Sequence, residues 1–187
     1  MGFDIYGVAP VEHTPKPVYE KNFTDMNDQE KNEYYEKLNQ FEEENPGAYF
    51  RNNVWWWRPL WDYVCKVCKS VMTKEQMLMG TDNSGNTIDE ETVEEMVIIL
   101  KKQIADGLHK EYEKTYYENL NKLPNETCTT CEGKGFRYIK AKDQIEECFP
   151  CKGTGITEAW DKSYPFSAEN VENFLLFLSE SGGIQIC

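Results

Sequence analysis

The sequence predicts a mainly α, α+β protein in which a helical body is interrupted by a small β-hairpin module built on cysteines. Three observations carry this expectation. Apolar residues recur at helical 3,4 spacing in several windows. Two segments share the pattern CxxCxGxG and sit close together, at 128–135 and 148–155. The 187 residues include 5 Trp, 11 Tyr and 9 Phe, far more aromatic surface than a disordered acidic chain carries, so a mean hydropathy of −0.70 does not signal disorder. The length fits one domain, alone or with a small second module.

Taken in order, the stretch from Met1 to about Asn22 carries Pro10, Pro15 and Pro17 and reads as an extended or strand-forming start followed by a loop. From Asp28 to Glu44, strong helix formers with Tyr34, Leu38 and Phe41 at helical spacing predict a surface-lying amphipathic helix, ended by Asn45-Pro46-Gly47. Pro59 suits the first turn of a helix running to about Met72, with Leu60, Val64, Val67 and Val71 on one face. Met79 to Thr87 is turn-rich. Thr87 or Asp89 can then cap a long helix from Glu90 to Leu123, the spine of the core, with Gly107 the point at which it would kink or divide. Ser167 caps a last helix from Ala168 to Ser179, Phe166 and Val171 form a hydrophobic staple, and Gly182-Gly183 stop it. Composition changes sharply at Pro124, which sets the domain boundaries at 1–123 plus 159–187 for the body and 124–158 for the module.

Six of the seven cysteines form Cys-x-x-Cys pairs: Cys65/Cys68, Cys128/Cys131 and Cys148/Cys151; Cys187 is left over. No secretory h-region follows Met1-Gly2-Phe3-Asp4, so these pairs predict metal ligation in reducing surroundings rather than a disulfide framework. Two thiolates spaced by two residues can grip one ion while the backbone turns beneath them, and the glycines permit that turn. Cys128, Cys131, Cys148 and Cys151 thus predict one closed, tetrahedral, all-cysteine zinc site per chain. The residues between, Phe136 to Lys140 and Gln144-Ile145, are long enough for two short antiparallel strands that bring the knuckles together.

The CxxCxGxG units resemble the cysteine-rich zinc domain of the DnaJ-type (Hsp40) chaperones over about 28 residues. That family carries four units and two zinc ions; this chain carries two units and lacks the His-Pro-Asp signature of the J domain. The resemblance implies ligand roles for the same four cysteines and protein contact rather than catalysis. Outside the module, MGFDIYG, YFRNNVWWWRPLWDYVC and FSAENVENFLLFLSESGGIQIC resemble bacteriophage-encoded proteins, which implies an accessory gene product and, for its partner, a host factor.

Other candidate sites stay open. Arg51 and Arg58, two of only three arginines, flank Trp55, Trp56 and Trp57, with Trp61 beyond; the set can form a pocket for a nucleotide-like anion or can lie in the core. Cys65 and Cys68 fit half of a second metal site, a redox pair or structural thiols, although the βαβ context of a thioredoxin is absent. Asp82-Asn83-Ser84-Gly85-Asn86 imitates a calcium loop but has Thr87 at its sixth position and Val93 at its twelfth, which excludes that site. Neither His13 nor His109 sits beside a recognisable nucleophile.

Net charge is −13, with 33 acidic and 20 basic residues, which disfavours direct nucleic-acid binding. No apolar run approaches membrane-span length, and Tyr6 stands where a myristoylation signal needs Ser or Thr, so the expected location is the cytoplasm, a host's if the gene is a phage's. Two function classes follow. One is a non-enzymatic zinc protein that binds another protein, for instance by presenting an acidic, nucleic-acid-like surface to a basic host factor. The other is a small-molecule binder or enzyme using residues 51–61.

Overall fold

The structure, a computed structural model, describes residues 2–19 and 21–187; Met1 and Glu20, within the opening stretch expected to be extended, lie outside them. The chain divides into two compact units, Met1–Glu111 with Phe166–Cys187, and Tyr112–Pro165. The compositional change at Pro124 falls inside the second unit, which starts earlier, within a helix.

The first unit opens with β1 (Gly2–Gly7) and, after a loop, α1 (Asp28–Glu44). Asn27 starts α1 with a capping box: its side chain accepts from the Glu30 N–H while the Glu30 carboxylate accepts from the Asn27 N–H. No residue of α1 is fully buried, and Tyr34, Leu38 and Phe41 form its half-buried stripe, as expected of a helix lying on a surface.

β2 (Tyr49–Asn53) runs directly into α2 (Val54–Val67). This helix starts five residues earlier than Pro59 suggested, because the Asn53 side chain accepts from both the Trp55 and Trp56 N–H groups and so caps it. Pro59 therefore sits inside the helix, where it removes one intrahelical bond, and the helix stops at Val67 rather than near Met72. The turn-rich stretch after it contains α3 (Lys74–Met79) and β3 (Asn86–Ile88), neither of which local patterning revealed. The helix expected over 90–123 is two helices, α4 (Glu90–Ala105), capped by Asp89, and α5 (Leu108–Lys122). Gly107, at φ 73°, separates them in a conformation that costs glycine little.

The second unit holds β4 (Glu126–Thr127), β5 (Phe136–Ile139), β6 (Gln144–Glu147) and β7 (Ile156–Thr157), paired β4 with β7 and β5 with β6. The chain then returns to the first unit as α6 (Ala168–Glu180), capped by Ser167, and β8 (Ile184–Ile186). Gly182, at φ 57°, makes the reversal between them, where a Cβ would lie 2.3 Å from the Ala9 carbonyl oxygen.

The four strands of the first unit form one antiparallel sheet in the order β2-β1-β8-β3, with the C-terminal strand in an interior position. Alternation sends Phe3, Ile5, Ile88, Ile184 and Ile186 inward, all buried. Against that face pack α2 and α6, and α4 packs on α6. The core between them is aromatic: Trp57 stacks on Phe3 at 5.3 Å and on Trp61 at 5.2 Å and meets Phe174 edge-on at 5.7 Å.

Candidate metal centre

The second unit is organised around one cluster. The Sγ atoms of Cys128, Cys131, Cys148 and Cys151 all lie within 4.8 Å of one another, and all four residues are buried. Cys128 and Cys148 are 3.8 Å apart, Cys131 and Cys151 3.7 Å. A tetrahedron of sulfurs about 2.3 Å from a central ion has edges of about 3.8 Å, so the spacing fits a four-thiolate metal site.

Local symmetry produces this arrangement. The Cys128 N–H donates to the Gly155 carbonyl and the Cys148 N–H to the Gly135 carbonyl, so each knuckle closes on the end of the other. The Gly135 N–H donates to Cys131 Sγ and the Gly155 N–H to Cys151 Sγ, at 3.2 and 3.3 Å. Such donors favour the thiolate form that a metal requires. The final glycine of each CxxCxGxG unit is dictated by contact: a Cβ on Gly135 would lie 2.2 Å from the Gly153 carbonyl oxygen, and one on Gly155 would lie 2.3 Å from that of Gly133. Both also have positive φ, 79° and 77°.

The thiols do not ionise independently. Burial and the neighbouring thiols raise Cys148, whereas at Cys128 burial is outweighed by bonds from Cys131 and from the Thr130 backbone, which pull it down. Thiols this close titrate as a coupled set, because each negative charge formed opposes the next.

The structure disperses the residues of the 51–61 set. Trp57 and Trp61 are core residues whose indole N–H groups donate to the Gly80 and Met77 carbonyls, both at 2.8 Å. Trp55 and Trp56 are half-buried near the start of α2. Arg51 lies on the outward face of the sheet, 3.6 Å from Asp4, and burial raises the Asp62 carboxyl, with the Arg58 charge opposing it in part. Cys65 and Cys68 lie at the end of α2, with Cys65 Sγ 3.8 Å from the Met77 carbonyl. Burial pushes both thiols up to about 12, and no third ligand joins them among the described residues.

Two features escaped the sequence reading. Ile98, one position off the α4 core stripe, is 67% exposed beside a groove at the end of α6. Phe149, between the cysteines of the second knuckle, is 90% exposed, where the first knuckle has threonine. The unbroken VIIL run at 97–100 was the signal for the first, since a helix cannot turn four consecutive side chains to one face.

No family model, curated protein or solved structure matches the chain.

Proposed function

We propose that the protein is a non-enzymatic zinc protein that works by binding another protein, with one zinc ion per chain held by Cys128, Cys131, Cys148 and Cys151. The observation that carries this reading is the buried cluster of four thiols at tetrahedral spacing. An all-sulfur tetrahedral donor set suits zinc, and four protein ligands leave no coordination position for a reacting water. The ion's role is then to build the second unit, whose folding free energy includes that of metal binding. Clustered Cys-x-x-Cys pairs suit metal ligation in a reducing, cytoplasmic location better than a disulfide framework. We take it as an accessory gene product whose partner is a host protein, and the net charge of −13 favours a basic one.

Elemental analysis of protein purified without chelator tests the metal, with one zinc per chain expected. Affinity capture with the full chain as bait tests the partner. One protein species retained near stoichiometry, less strongly as salt rises, supports the reading. A small molecule bound in stoichiometric amount in native mass spectra, or a catalytic activity lost in folded Arg51→Ala, overturns it.

A further inference from the structure

Resting on the reading that this protein works by binding another protein, we infer that the groove between α4, the end of α6 and residues 8–11 seats a basic amphipathic segment of that partner. The groove has a volume of about 340 Å³, at the small end of ligand clefts, and suits a few side chains rather than a whole cofactor. Its floor is apolar, made by Val93, Val97 and Leu178, all buried. Val11 and Ile98 continue that surface up both banks, at 50% and 67% exposure.

The polar lining decides the occupant. Glu90, Glu94 and Glu180 are its charged residues, and it holds no lysine or arginine. Glu90 and Glu94 are exposed, stand one helical turn apart and have no ion-pair partner among the described residues. Like charges at that spacing repel, and a cation placed over both relieves the repulsion. The wider charge distribution agrees: the second unit carries eight basic and nine acidic side chains, so nearly all of the net −13 resides on the first unit, which contains the groove. A segment with apolar residues on one face and lysines or arginines beside them matches floor and rim together. A second copy of this acidic chain does not.

The groove is also preformed. The N–H groups of Val8, Ala9 and Val11 donate to the carbonyls of Gly183, Ser181 and Glu180, at 2.8 to 3.2 Å. Further along, the Asn45 side chain accepts from the His13 and Thr14 N–H groups, and His13 Nε2 lies 2.8 Å from Glu180. The bank that carries Val11 is thus fixed before any partner arrives, which lowers the ordering cost of binding.

The test uses the full chain, zinc-loaded, and a fluorescent peptide of leucine and lysine about four helical turns long, with a leucine–glutamate peptide as control. The expected result is saturable one-to-one binding of the basic peptide only, with amide shifts in nuclear magnetic resonance spectra at Val93, Ile98, Gly182 and Gly183. Ile98→Asp and Glu94→Lys, both at exposed positions, should each weaken it roughly tenfold. Glu36→Lys with Glu43→Lys, on the exposed face of α1, should leave it within about twofold. Equal weakening by the α1 pair would show unspecific charge attraction, and shifts elsewhere, or no saturation, would likewise overturn the inference. Self-association abolished by Ile98→Asp would assign the groove to a second copy instead. A partner captured equally well by Ile98→Asp refutes the groove but leaves the proposed function standing; peptide binding at the groove with no partner captured does the reverse.

Discussion

Replacing Ile186, the last but one residue of the chain, should damage the first unit as severely as a deep core substitution. Ile186 is fully buried in β8, opposite Ile5 of β1 on one side and Asn86 of β3 on the other. Truncating such a side chain removes its transfer free energy and leaves a cavity, together about 2 to 5 kcal/mol for Ile→Ala. At roughly 2 to 4 °C per kcal/mol for a chain of this size, Ile186→Ala should lower Tm by about 4 to 20 °C. Its neighbour Gln185 points to the exposed face, so Gln185→Ala should cost about 0.5 kcal/mol or less. Ending the chain before Ile184 removes two fully buried isoleucines, worth about 3 to 6 kcal/mol by burial, and strips both β1 and β3 of a partner strand. That is comparable with the whole stability of a typical domain. Urea titration followed by the emission of buried Trp57 and Trp61 reads all three variants. If Ile186→Ala and Gln185→Ala unfold at the same urea concentration, β8 is not an interior strand and the argument fails.

Three further outcomes follow from the same structure. Cys131→Ser should abolish stoichiometric metal binding and melt the two small strand pairs, with loss of their amide protection, while the unfolding free energy read from the Trp57 signal stays within about 0.5 kcal/mol of wild type. Gly155→Ala should weaken zinc retention against a chelator, since a residue with a Cβ at φ 77° costs about 1 kcal/mol or more before the 2.3 Å approach to the Gly133 carbonyl is relieved; Gly107→Ala, with open space around its Cβ, provides the control for positive φ alone. The hydrogen bond from buried His109, at 2.9 Å, holds the Glu172 carboxyl below its ordinary value of 4.5. The stability this contributes is complete above that value and is lost as the pH falls through the lower folded one, so wild type and Glu172→Gln should converge in acid denaturation curves once the folded-state carboxyl is protonated.

Helices announced by their own ends were legible in the sequence. α1 and α6 carry side-chain caps at Asn27 and Ser167, and their expected and observed bounds agree to within a residue. The cysteine knuckles were legible because ligand, turn and glycine lie within eight residues. The sheet was not, because its pairings are remote: Gly2 meets Asn53, Ile5 meets Ile186 and Asn86 meets Ile186, and strands of three to six residues leave little periodicity to read. The start of α2 was hidden for another reason. Val54-Trp55-Trp56-Trp57 favours strand by residue type, and what makes it helix is the Asn53 cap together with burial of Trp57, Leu60, Trp61 and Val64 on one face. The groove depends on which side of α4 the loop at 8–11 is tied to, and only the backbone bonds to residues 180–183 specify that.

The two units are stabilised by different physics, and this makes their roles separable. In the first, sheet and helices enclose a core of isoleucine, valine and aromatic side chains, and carboxylates outnumber basic groups in the unit. In the second, the buried cluster consists of the four cysteines alone, while Phe136, Tyr138, Ile145 and Phe149 lie exposed. A segment this short buries little apolar surface, and on the proposed reading a metal supplies what a core does elsewhere. Side chains released from core duty are then free to face outward, which is why the second unit shows apolar surface at near-neutral charge while the first shows an apolar groove within a strongly acidic one. Removing zinc should therefore erase contacts made by the second unit and spare the groove, and Ile98→Asp should do the opposite. If chelation and Ile98→Asp each abolished binding of the same basic peptide, the units would not be energetically independent, and the assignment of the peptide to the groove alone would have to be given up.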